Sequence, residues 1–176
     1  NSWSDLVVGQ YLLNEGAGYT AFDSHIPLGE KKFGETSMVF DGTGDFLDIS
    51  SGSDWDLGSD PFTFECWFMP TASSRGGIFA NQTTDWWIGI DYHQQGTRNV
   101  NLWASSNGSS WDIIHSDSGG NGIGSVSLTL DTWNHIAFVR NGSSWKSYIN
   151  GTEDVSVTSS SSVINKSEGK RIGAWF

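Results

Sequence analysis

A single cysteine, Cys66, leaves the chain without an intrachain disulfide. It lies in "FTFECWF" (62–68) in register with Phe62, Phe64 and Phe68, and reads as a small buried apolar filler. Charge is also scarce, at 16% of residues, and only 9 bases stand against 20 acids. A net charge of −11 supplies little to neutralise phosphates, so neither nucleic acid nor an anionic membrane surface is expected as a partner. No apolar run approaches the ~18 residues of a membrane span, so no membrane insertion is expected. No window keeps a 3.6-residue apolar period over three turns, which excludes a helical fold. The chain begins at Asn1 and carries no signal-peptide pattern, so it is read as a fragment, a processed chain or a trimmed form.

Catalytic patterns are missing too. His25, His93, His115 and His135 are scattered without metal-ligand spacing. There is no G-x-S-x-G and no phosphate-binding loop; "GGNGIG" (119–124) opens a strand rather than a helix. Retaining glycoside hydrolysis needs two carboxylates about 5 Å apart. On "FTFECWFM" the same-face neighbours of Glu65 are Thr63 and Trp67, so the second acid is absent and Glu65 reads as a structural hydrogen-bonding residue.

What is present is aromatic and turn-forming. Aromatics reach 14%, including 10 Trp and 10 Phe, and the polar remainder is mostly Ser, Thr, Asn and Gly. This is the composition of a turn-rich β protein with a sizeable core. About a dozen short strands are expected: 7–13, 37–40, 46–49, 62–69, 77–80, 86–92, 100–104, 111–115, 125–130, 133–140, 145–149, 155–158 and 171–175. Any helix is a single turn near Ser53–Leu57. "DGTG" (41–44) and the two copies of "NGSSW" (107–111 and 141–145) read as tight hairpin turns. Five Asn-x-Ser/Thr sequons occur, at Asn81, Asn107, Asn141, Asn150 and Asn165. The fold expected is a two-sheet antiparallel β-sandwich.

Alternation then sorts the tryptophans. In "DWWIGIDYH" (85–93), Trp86, Ile88, Ile90 and Tyr92 form an apolar face that belongs to the core. Trp87, Gly89, Asp91 and His93 form the open face. In the next strand Val100, Leu102 and Ala104 face inward, and Asn99, Asn101 and Trp103 outward. If the two strands pair through Gln94–Arg98, Trp87 and Trp103 share one surface with Asp91, His93 and Asn101 around them. Ring faces beside amide and carboxylate groups suit sugars, and Gly89 leaves a depression between the rings. The alternative is that loops cover these tryptophans, or that they fill the core. Of the others, Trp55 is expected to staple a loop to the sandwich and Trp133 to pack at a strand end.

Four motifs in order, "MVFDGTGDFLDI", "PFTFECWFMP", "LDTWNHIAFVRNGSSWKSYINGTE" and "RIGAWF", resemble the laminin-G-like jelly-roll family of the concanavalin A-like superfamily. "LVVGQYLLNEGAGYTAFDSH" (6–25) resembles the lead-in ahead of such domains. The resemblance implies a concanavalin A-like jelly roll over residues 1–176 as one domain. It implies a carbohydrate-binding or adhesive module of a secreted protein, a cell surface or a virus particle. A non-catalytic lectin-like module is the expectation, with an adhesive protein-interaction module as the alternative and a glycoside hydrolase as a weaker one. Relatives carry a further strand after the "IGA" segment, which here is either cut off or supplied by another chain, so a homo-oligomer through the C-terminal edge is an option. No cofactor is required. Many relatives bind calcium, and Asp41 and Asp45, flanking the "DGTGD" turn with Asp48 following, are the candidate ligands beside the plainer reading of turn formation and solvated acids.

Overall fold

The structure, a computed structural model, describes residues 31–34, 37–40, 43–71, 75–81, 87–92 and 97–174. Ten strands run through them: β1 (Leu47–Ile49), β2 (Phe62–Phe68), β3 (Gly76–Asn81), β4 (Ile88–Tyr92), β5 (Asn99–Ala104), β6 (Ile123–Ser127), β7 (Asn134–Asn141), β8 (Ser144–Ile149), β9 (Thr152–Thr158) and β10 (Lys170–Ile172). The only helical element among the described residues is a 3-10 turn at Ser53–Trp55. One sheet has six strands in the order β1-β10-β3-β4-β5-β6, the other four in the order β2-β7-β8-β9, and every pairing is antiparallel.

Alternation builds the core between the sheets. Phe62 and Phe64 of β2, Ile136 and Phe138 of β7, Trp145 and Ile149 of β8 and Val155 of β9 come from the small sheet. Phe79, Ile88, Ile90, Tyr92, Val100, Leu102 and Ala104 face them from the large one. Phe64 meets Phe79 across the interface at 4.8 Å between ring centroids. Each large side chain removed from water contributes roughly 1.5–3 kcal/mol. Trp55 staples its loop as expected, its ring buried in the core and its Nε1 donating to the Ser50 carbonyl at 3.3 Å.

One side of the sandwich, between β6 and β9, is closed by Asp154. Its Oδ1 accepts the amides of Ser125 (2.7 Å) and Val126 (2.8 Å) and the Ser125 hydroxyl (3.0 Å). This covers part of the backbone edge of β6, which would otherwise be open to another strand.

The two "NGSSW" copies diverge. The second makes the expected tight hairpin, Asn141 opposite Ser144, with Gly142 at φ 60°. The first does not join two strands. Asn107 Oδ1 accepts the amides of Ser109 (2.8 Å) and Ser110 (2.9 Å), and Asp112 Oδ1 accepts that of Ser106 (2.8 Å), which locks 105–112 into a loop. The strand expected at 111–115 is therefore reduced to one bridge, Ala104 to Ile114. A further tight turn joins β8 to β9 at Asn150 and Gly151, both at positive φ (51° and 81°). Residues 37–40 form no strand, and Asp41 and Gly42 of the expected "DGTG" hairpin lie outside the described residues, as does the strand expected at 7–13.

Candidate functional site

The tryptophan platform expected on β4 and β5 divides in two. Trp87 is not on the open face; its exposure is 0% and it belongs to the core. Alternation fails there because strand pairing starts at Ile88, while Trp87 sits in a bend whose carbonyl accepts the Ser105 amide at 2.8 Å. From that bend the ring turns between the sheets, edge-on to Trp55 (6.0 Å, 89°) and against Phe79 (6.0 Å). Trp86, expected in the core, and His93 lie outside the described residues.

The rest of the set is brought together as the register requires. Gly89 pairs with Trp103 and Asp91 with Asn101, so Asp91, Asn101 and Trp103 share the face of the six-stranded sheet that points away from the core. Asn101 Nδ2 donates to Asp91 Oδ1 at 3.0 Å, and Arg75 Nη2 to Asp91 Oδ2 at 3.4 Å. Asn99 continues the polar row, donating to the Gly124 carbonyl at 2.5 Å and accepting from the Ser127 hydroxyl at 2.7 Å. The expected openness is nevertheless wrong: Asp91 and Asn101 are 0% exposed and Trp103 3%. Burial pushes the Asp91 carboxyl above its ordinary value, against the opposing pull of the Asn101 amide, the Arg75 charge and the Trp103 indole. This cluster is a closed polar layer rather than a surface for stacking.

Its outlet is Trp111, a half-buried ring on the 105–112 loop whose centroid lies 5.4 Å from that of Trp103. The loop is stiff. Burial works to raise the Asp112 carboxyl, but hydrogen bonds from the Ser106 hydroxyl and amide hold it below its ordinary value. The sequence sets Trp111 at the head of an expected strand, 111–115; the structure sets it on a loop, with only the Ala104–Ile114 bridge left of that strand.

Of the candidate calcium ligands, Asp45 is exposed, and Asp48 beside it accepts from Arg171 Nε at 2.9 Å. Asp41 lies outside the described residues, among which no three His, Cys, Asp or Glu side chains converge. Glu65 instead faces His135, whose Nε2 stands 3.5 Å from its Oε2.

A family model described as the concanavalin A-like lectin/glucanases superfamily, of laminin G type, matches residues 41–175. The chain belongs to that family. Among solved structures, it is similar to domains LG4-5 of the mouse laminin alpha1 chain (TM-score 0.54, 9% identity, covering 74% of this chain and 32% of that one). It thus spans about a third of the laminin structure's length. It is also similar to domain 4 of AbnA, an extracellular arabinanase of Geobacillus stearothermophilus in complex with arabinotriose (TM-score 0.46, 22% identity, covering 68% and 54%). Another is the Caenorhabditis elegans galectin LEC-6 (TM-score 0.45, 14% identity, covering 73% and 82%). At these identities the likeness is one of fold. No curated protein sequence matches the chain.

Proposed function

We propose that the chain is a non-catalytic carbohydrate-binding module that works outside the cell, with Trp111 as the ring on which a sugar packs. The observation that carries the reading is the Trp103–Trp111 pair beside the Asp91–Asn101 layer. A sugar's C–H face packs on an indole while its hydroxyls need directional partners, and the 105–112 loop is rich in hydroxyl and amide groups. The internal hydrogen bonds of that loop hold Trp111 in place before a ligand arrives, which lowers the ordering cost of binding. Membership in a superfamily of lectins and glucanases, and its laminin-type members, support the ligand class and the extracellular setting.

The non-catalytic part is supported by the spacing of the strand acids Glu65, Glu153 and Asp91 among the described residues. Across the small sheet Glu65 pairs with Ala137, Ala137 with Tyr148 and Tyr148 with Glu153. Three inter-strand steps separate the two glutamates by about 14 Å, too far for the ~5 Å or ~6.5–9.5 Å of glycosidase pairs. Asp91 faces Gly77 and Asn101 across its strands, with no acid opposite. Affinity electrophoresis through gels containing a panel of polysaccharides tests the reading. Retardation by at least one glycan, with no new reducing ends released from it, is the expected result. No retardation by any of them, or steady release of reducing ends, would refute it.

A further inference from the structure

The outer face of the four-stranded sheet carries the most exposed tryptophan among the described residues, Trp67 at 37%. Thr63, Glu65 and Trp67 of β2 point outward there, and register sets Trp67 beside His135 and Glu65 beside Ala137. The Trp67 ring already accepts a cation. Lys32 Nζ stands 4.0 Å from its centroid and 5.6 Å from that of Phe33, and the Phe33 ring meets Trp67 edge-on at 5.7 Å and 76°. Phe33 is itself 48% exposed. His135 packs on Trp67 at 5.1 Å and turns its Nε2 to Glu65 at 3.5 Å. Two aromatic rings around an ammonium, with the Glu65 carboxylate two residues along the same outward face of β2, suit an organic cation. The chain's net charge of −11 draws such cations in from solution.

We propose that Trp67, Phe33 and Glu65 form a second contact surface for the protonated amino groups of an amino-sugar polysaccharide, with Lys32 as an internal occupant that the ligand displaces. The inference rests on the carbohydrate reading above and adds a ligand class. It concerns the sheet opposite to the one that holds Trp103, so the two surfaces can be tested apart.

The test is a calorimetric titration at about 0.15 M salt with a glucosamine hexamer, its N-acetylated counterpart and a lysine hexapeptide. The glucosamine hexamer is expected to bind, and both other ligands to bind at least about tenfold more weakly. Trp67→Ala, which leaves the net charge unchanged, is expected to weaken binding at least about tenfold, and Trp67→Phe less. Lys32→Ala is expected to bind several-fold tighter than Lys31→Ala, which makes the same charge change next door. Thermal melts confirm that each variant folds. Equal binding of the acetylated hexamer or the peptide, full affinity in Trp67→Ala, or weaker binding in Lys32→Ala would overturn the proposal. Binding of another glycan through Trp111 with no amino-sugar binding sinks this inference and leaves the carbohydrate reading standing. Binding of no glycan of any class sinks both.

Discussion

The Lys170 ammonium lies 4.2 Å from the centroid of the Trp87 ring, inside the rim of the sandwich. It donates to Asn81 Oδ1 (3.0 Å) and to the carbonyls of Lys166 (2.8 Å) and Glu168 (2.5 Å). The indole and the three acceptors lock β10, β3 and the chain leading into β10 around one buried charge. Trp87 is thus packed on one side by Trp55 and Phe79 and capped on another by a cation.

Trp87→Ala is accordingly expected to cost about 3–5 kcal/mol, as large-to-small core truncations do. Denaturant unfolding followed by circular dichroism measures it. A loss under about 1 kcal/mol would mean that the ring is not held between the sheets.

Lys170 should also shape the pH dependence of stability. Burial lowers its pKa in the folded protein to about 8, with the Glu168 and Asp56 charges opposing. The unfolded chain holds this proton up to about 10.4. Between those values the unfolded state binds more protons, so the contribution of Lys170 makes stability rise with pH. Below the folded value the buried charge costs its full amount. Unfolding of wild type and Lys170→Met at pH 7 and pH 10 isolates the effect. The wild type should gain on the variant at the higher pH; a relative loss would contradict the depressed pKa.

Cys66 should be chemically silent in the folded protein. It packs on the core from β2, opposite Ile136, and burial, helped by the Glu65 charge, pushes the thiol up to about 12. Without thiolate there is no nucleophile. Iodoacetamide at pH 8 should label it only after denaturant is added; fast labelling of the native protein would place Cys66 at an accessible surface.

Alternation carried most of the sandwich because it holds wherever a strand is paired along its length. The strand expected at 133–140 is found one residue on, at Asn134–Asn141, and Asp91, Asn101 and Trp103 do share a face. It failed at Trp87, one residue before pairing begins, where the backbone bends and parity has no meaning. It also carries no information on whether an outward face is open. Asp91 and Trp67 both point away from the core, yet one is sealed and the other is exposed. Trp111 was out of reach for a different reason: its position depends on side-chain hydrogen bonds within 105–112 that displace strand pairing.

The decisive measurement is a calorimetric titration of the best-retained polysaccharide, as a defined oligosaccharide, into wild type and Trp111→Ala, with thermal melts of both. Trp111 is half-buried on the 105–112 loop, outside any strand, so its truncation should leave the melting temperature within a few degrees. Affinity should fall at least about tenfold, equivalent to about 1.4 kcal/mol. Unchanged affinity in a Trp111→Ala protein that melts like the wild type would contradict the assignment of Trp111 as the sugar-contacting ring.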